Sequence, residues 1–222
     1  MYKISVLIVD DDSDWLKAMK MFLGNEDDII VTATVDSVEG ARNVIINEKV
    51  DVVLLDINLT GSNYDGIYAA AEISMSSKFK IIMLTSFKED EFILKSFSAG
   101  AVNYIFKADY TKIPEAIRSA YNNSSAFEVL LREYSRLKEE EQIKNLTPSE
   151  KEILMLAEQG YTQSQMQKLL FKSESTLKKH INSFLKKLQV KNTKEAIKKV
   201  KMKGLSHEGL EKEKGSTNSW GP

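Results

Sequence analysis

Four short apolar runs in the first half of the chain each end in a side chain able to do chemistry, five such side chains in all. Ile4–Val9 runs into Asp10 and Asp11, Val52–Leu55 into Asp56, Lys80–Leu84 into Thr85, and Ala101–Phe106 into Lys107. Carboxylates held close together repel one another and need a cation, and a small set of oxygen donors suits Mg²⁺, which keeps several waters of its own. A carboxylate beside such a cation can act as a nucleophile and form an aspartyl phosphate. The lysine ammonium would offset charge on the moving phosphoryl oxygens, and a Thr85 hydroxyl can donate to one of them. Taken singly, an aspartate at a strand end is more often a loop or capping residue, so the weight rests on the five together.

Positioning these groups requires the runs to be parallel neighbours. Near-continuous apolar strands bounded by polar groups belong in sheets covered on both faces. A second strand, Ile29–Val35, completes the set. Helix-period stretches separate the strands: Trp15, Leu16, Met19, Phe22 and Leu23 share one face, with Ser13 as the expected N-cap, and Phe92, Ile93 and Phe97 share another, closed by Gly100. The pattern is an α/β, (βα)5 doubly wound parallel-sheet domain over residues 1–122, and ligands of such sheets gather at the carboxyl ends of the strands. Residues 112–144 read as helix, broken near Asn122–Ser125, and 123–144 form a charged helical linker with Leu130, Leu131, Tyr134 and Leu137 at helical spacing. Residues 145–204 contain no strand-like run. They fit a small all-α domain with helices at 148–159, 163–170, 174–188 and 193–203, opened by Thr147 as N-cap and Pro148 at the first helical position. The polar, aperiodic stretch 205–222 reads as a disordered tail.

The formal net charge of −1 conceals an asymmetry. Residues 1–122 carry 19 Asp/Glu against 12 Lys/Arg, whereas 145–204 carry 13 Lys against 5 Glu. A basic second half fits a polyanionic partner, nucleic acid first, although a solvated lysine surface has the same composition. The absence of cysteine excludes disulfides, thiolate metal sites and cysteine nucleophiles. His180 and His207 are too few for a zinc site unless carboxylates supply most ligands. No apolar run approaches the roughly 20 residues of a membrane span, and with no signal-peptide anatomy at Met1–Ile4 the expectation is a cytoplasmic protein without membrane partners.

Val6–Asp11, Val53–Asp56, Met83–Ser86 and Tyr104–Lys107 resemble the receiver domains of two-component response regulators, over about residues 3–121. The resemblance implies that Asp56 accepts phosphate from a sensor histidine kinase. It also implies that Asp10, Asp11, Asp56 and the backbone carbonyl of Asn58 hold Mg²⁺, that Lys107 pairs with the phosphoryl group, and that Thr85 and Tyr104 form a switch pair. The chain departs from the family at Thr60, where a proline is usual, and in a loop Gly61–Tyr64 about two residues longer than usual. Phe87 is apolar where a water-orienting group would speed hydrolysis, so slow self-dephosphorylation is expected.

In the second domain Ser173 is the expected N-cap of a helix whose stripe Leu177, Ile181, Phe184, Leu185 and Leu188 is apolar. Lys178, Lys179, Asn182, Lys186 and Lys187 lie off it, a face suited to the major groove, and Thr176 can contact a phosphate at the helix N-terminus. Leu146–Leu154, Gly160 and Ser173–His180 resemble the LuxR-type helix-turn-helix domains of the NarL/FixJ class. Gln167 and Gln189 stand where that family commonly has alanine and glycine. His180 matches a common family histidine, for which packing or a phosphate contact is the expectation. Ala196, Ile197 and Val200 either form a contact in a DNA-bound dimer or cap the domain's own core. The expectation is a phosphorylation-controlled transcription regulator, not an enzyme, which binds double-stranded promoter DNA as a homodimer when active. Two other readings stand beside it: a phosphorylation-independent DNA-binding regulator whose receiver is a constitutive dimerisation or partner-binding scaffold, and a phosphatase-type hydrolase, which leaves the basic domain unexplained.

Overall fold

A computed structural model describes residues 2–60, 65–74, 79–86, 90–122, 126–203 and 205. The loop 61–64, Phe87 and the tail from 206 onward, each the subject of an expectation above, lie outside the described residues. Two compact units divide between residues 135 and 136.

The first unit is built on five parallel strands, β1 (Ile4–Val9), β2 (Ile29–Val35), β3 (Val52–Asp56), β4 (Lys80–Thr85) and β5 (Asn103–Phe106), in the order β2-β1-β3-β4-β5. The central strands β1, β3 and β4 are almost wholly buried, while the edge strands β2 and β5 are half-buried. That contrast accounts for the unbroken Val/Ile/Leu runs at the centre. Alternate residues face opposite layers. Val6, Ile8, Leu54 and Ile82 pack with Leu16, Met19 and Leu23 of helix α1 (Ser13–Gly24) and with Ile113 and Ile117 of helix α5 (Ile113–Asn122). Leu7, Val53, Leu55 and Met83 are buried on the other side of the sheet, the side of α2 (Val38–Asn47), α3 (Asp65–Ser74) and α4 (Asp90–Ser98). Gly100 ends α4 with φ +98°, a backbone conformation that glycine adopts without strain.

The N-cap of α1 differs from expectation. Asp12, not Ser13, caps it, accepting from the amides of Asp14 and Trp15 at 2.9 and 3.1 Å. An ionised carboxylate one residue earlier satisfies two orphan amides at once, and Ser13 becomes the first helical residue.

A final long helix, α6 (Ala126–Ile143), contains the division between the units. Within the first unit, its Tyr134 hydroxyl lies 3.3 Å from Ser98 Oγ on α4.

The second unit holds α7 (Pro148–Glu158), α8 (Gln163–Leu170), α9 (Glu174–Leu188) and α10 (Thr193–Lys201), within two residues of the sequence expectation at each end. Thr147 and Thr162 each close a reciprocal capping box, with Glu150 and Gln165, and this explains the sharp starts of α7 and α8. The core comprises Leu146, Ile153, Leu154, Leu156, Met166, Leu177, Ile181, Phe184, Leu188 and Ala196.

Candidate functional site

Strand register assembles the acidic group. Val9 pairs with Leu55, which brings Asp10 beside Asp56 one residue further on. Asp56 pairs with Leu84, and Thr85 with Phe106, the residue before Lys107. The sheet order reverses at β1, with β2 on one side and β3 on the other, so the cluster sits at the topological switch point. Carboxylate oxygens of Asp10, Asp11 and Asp56 all lie within 4.8 Å of one another.

Asp10 is 1% and Asp56 5% exposed, whereas Asp11 is open to solvent. Lys107 Nζ donates to Asp56 Oδ2 at 2.8 Å and forms an ion pair with Asp10 Oδ2 at 2.7 Å. One ammonium therefore serves two buried carboxylates. Burial pushes the carboxyls of Asp10 and Asp56 above the usual range, and Lys107 only partly offsets it. Burial works to lower the Lys107 ammonium, but the hydrogen bonds to Asp10 and Asp56 prevail and hold it above its ordinary value. Its Nζ lies 5.7 Å from the centre of the Trp15 ring.

This donor set suits a hard divalent cation. It is all oxygen, it leaves excess negative charge after Lys107 is counted, and the side-chain Oδ1 of neighbouring Asn58 is buried without a hydrogen-bond partner. Thr85 is fully buried at the end of β4. Tyr104 is half-buried on edge strand β5, its ring edge-on to Phe106 at 5.7 Å between centroids.

The segment after Asp56 is braced by residues to which the sequence reading gave no role. Asp65 Oδ1 accepts from the amides of Leu59 and Gly66 at 2.8 and 2.9 Å, and the Thr60 hydroxyl donates to Asp65 Oδ2 at 2.5 Å. Thr60 thus ties down the turn where the family commonly has proline. The Gly66 amide donates to the Ile57 carbonyl at 2.9 Å. A Cβ on Gly66 would stand 1.9 Å from the Asp56 carbonyl oxygen, so only glycine lets α3 start this close to β3. The Asp65-Gly66 pair was the visible signal, but its long-range contact was not.

In the second unit Ser173 caps α9 as expected, its hydroxyl accepting from the Thr176 amide at 3.2 Å. Leu177, Ile181, Phe184 and Leu188 are buried, and Thr176, Lys178, Lys179, Asn182 and Lys186 are exposed. The structure gathers these five on the solvent side of one helix. Lys178 is paired with Glu174 at 2.5 Å, and the Thr176 hydroxyl lies 2.8 Å from that of Ser173. His180 and Gln167 are half-buried. Gln189, where the family commonly has glycine, ends α9 with φ +55°. Ala196 is fully buried in the domain's own core, and Ile197 and Val200 pack against it.

A further residue escaped the sequence reading. Glu150 is 2% exposed and accepts from Lys187 Nζ at 2.7 Å and from the Thr147 amide at 2.8 Å. Burial opposes its ionisation, yet the hydrogen bonds of Lys187, Ser183 and Thr147 prevail and bring its carboxyl down to about 2. The pair links α7 to α9.

Residues 6–118 match the response regulator receiver domain family, and residues 144–200 match the bacterial regulatory proteins of the luxR family. The response regulator protein VraR of Staphylococcus saprophyticus is 31% identical over 199 residues, covering 87% of this chain and 94% of that protein. VraR of Staphylococcus aureus is likewise 31% identical over 199 residues, with the same coverage. Among solved structures, the Salmonella typhimurium RcsB response regulator aligns with a TM-score of 0.52 at 22% identity, over 92% of this chain and all of that one, a likeness of fold. The response regulator domain of Thermotoga maritima CheB aligns with a TM-score of 0.50 at 26% identity, over 54% of this chain and 97% of that one. Among the described residues no helix is long and apolar enough to cross a membrane. A receiver with its acidic cluster, followed by a LuxR-type helix-turn-helix domain, makes this chain a member of the response regulator family, the transcription regulators of the LuxR class rather than enzymes.

Proposed function

We propose that this regulator is switched by phosphorylation of Asp56 by a sensor histidine kinase. The observation that carries the reading is the gathering of Asp10, Asp11, Asp56 and Lys107 at the carboxyl ends of β1, β3 and β5. An oxygen of Asp56 attacks phosphorus as the bond to the donor nitrogen of the kinase breaks. Lys107 exchanges its contact with Asp56 for one with a phosphoryl oxygen. Asp10, Asp11, Asp56 and the backbone carbonyl of Asn58 would hold Mg²⁺, which supplies charge neutralisation for phosphoryl transfer. Thr85 donates to the phosphoryl group, and Tyr104 turns inward behind it. The shift favours a homodimer through the face near residues 87–110 and sets two copies of α9 on adjacent half-sites of promoter DNA. Thr176 meets a phosphate; Lys178, Lys179, Asn182 and Lys186 face base edges and phosphates. The working parts are a receiver over 1–122, a linker over 123–144 and a DNA-binding domain over 145–204, acting in the cytoplasm.

Intact-mass measurement after incubation with a small phosphodonor and Mg²⁺ tests this. The parent is expected to gain one phosphoryl group and Asp56→Ala none. Slow decay of the phosphorylated parent, quickened in Phe87→Glu, is the companion expectation. One observation favours the scaffold reading: Lys107 already supplies a counter-charge to both Asp10 and Asp56. A folded parent that gains no mass would favour that reading instead.

A further inference from the structure

Phe171 ends α8, immediately before the turn into α9, and its side chain is 95% exposed. The other phenylalanine of the second unit, Phe184, is fully buried in the core. Phe171 also adopts φ +51° and ψ +38°, the left-handed region where a side chain costs energy and glycine does not. The conformation is fixed locally, because the Phe171 amide closes the helix on the Gln167 carbonyl. Both features work against the folded state, and a ring so exposed returns no packing to the domain.

The surroundings indicate what the ring meets. It stands two residues before Ser173, the N-cap of α9, and Lys168, Lys178 and Lys179 nearby in sequence are exposed. Residues 145–204 carry a net charge of +8 from 13 Lys and 5 Glu. Any approach that brings the N-terminal turn of α9 into a major groove brings the preceding turn to the groove's sugar-phosphate edge. That edge is polyanionic, yet it offers apolar surface in its deoxyribose carbons, and the groove beside it offers thymine methyl groups.

We propose that Phe171 is a DNA-contacting residue whose ring packs on this apolar edge of the duplex. The assignment rests on the DNA-binding reading and deepens it. It makes the α8–α9 turn a second, uncharged contact beside the lysines of α9.

The test uses the full-length chain and a mixed-sequence duplex recovered from a random pool on the immobilised parent, with affinity followed by fluorescence anisotropy across a salt series. Phe171→Gly relieves the left-handed strain, so its unfolding midpoint is expected to equal or exceed the parent's. Its affinity is expected to fall roughly tenfold, the scale of uncovering part of one aromatic face. The dependence of log K on log salt is expected to be unchanged, since no charge is removed, whereas Lys178→Ala lowers that slope by about one. Phe171→Leu is expected to recover part of the loss. Replacing thymine by uracil in the probe separates the two apolar partners: weaker binding of the parent assigns the methyl group, equal binding the sugar. Parent-like affinity in Phe171→Gly would overturn the inference alone and assign the ring to a protein partner. A loss tied to a lower unfolding midpoint would overturn it in favour of a structural role. A folded parent that recovers no duplex from the pool would overturn the DNA-binding reading itself, and this inference with it.

Discussion

Each unit buries carboxylates, and the two treat them in opposite ways. In the receiver, Asp10 and Asp56 share one lysine and are pushed toward the neutral form. In the helical unit, Glu150 has a lysine, a hydroxyl and a backbone amide to itself and is driven toward the charged form. A buried charge that is fully paired holds a fold together, while one left short of partners is kept at a cost to stability and marks where something else must bind. The contrast separates a fully paired carboxylate from two under-paired ones without reference to any relative.

The sharpest break in that contrast is Gly66→Ala. A methyl 1.9 Å from the Asp56 carbonyl oxygen cannot be accommodated without moving β3 or α3. A loss of about 3 kcal/mol or more is expected, read as a lower denaturation midpoint together with lost phosphorylation. Next comes Glu150→Gln, which weakens the hydrogen bonds from Lys187 and the Thr147 amide and is expected to cost about 2 kcal/mol, read by urea unfolding with hydrogen exchange at α7 and α9. The sign with pH follows from the depressed carboxyl. The contribution of Glu150 is complete above 4.5, its ordinary value, and is lost as pH falls toward about 2. Stability of the second unit should fall over that window in the parent and stay flatter in the variant.

Asp56→Asn should act in the other direction. It leaves one lysine facing one buried carboxylate, so a gain of about 1 kcal/mol is expected at neutral pH. The Asp56 carboxyl is raised, so its charged form burdens the fold more as pH rises through that value; the gain should therefore fade in acid. Added Mg²⁺ should raise the thermal midpoint of the parent more than that of the variant, and equal shifts would remove Asp56 from the metal site. The smallest effect is Gln189→Gly, which relieves φ +55° and should add about 0.5–1 kcal/mol, measurable by urea titration.

Much of this was legible in the sequence, for identifiable reasons. The central strands announced themselves because both their faces are buried, so each carries a nearly unbroken run of apolar residues before the polar group that ends it. The helices of the second unit were bounded by Thr147-Pro148 and Ser173, whose capping acts over three residues. What escaped depends on contacts between distant segments. Glu150 and Lys187 stand 37 positions apart. The closeness of Gly66 to Asp56 arises only when α3 docks on β3. Among the consecutive residues Asp10, Asp11 and Asp12, spacing alone did not reveal that the last would cap α1 and that Ser13 would not. Gln189 looked like a mild departure in composition, and only the backbone reveals it as a conformational one.

The position of Trp15 gives the receiver a built-in optical reporter. The chain has two tryptophans, and the other, Trp220, lies far along the tail. Indole emission responds to a nearby positive charge, and the ammonium of Lys107 stands 5.7 Å from the Trp15 ring centre. With Trp220 replaced by phenylalanine, the emission maximum and intensity of the single remaining indole would follow the lysine as it leaves Asp56. Occupancy of the pocket could then be timed in a stopped-flow cuvette, with no dye, label or radioactive donor.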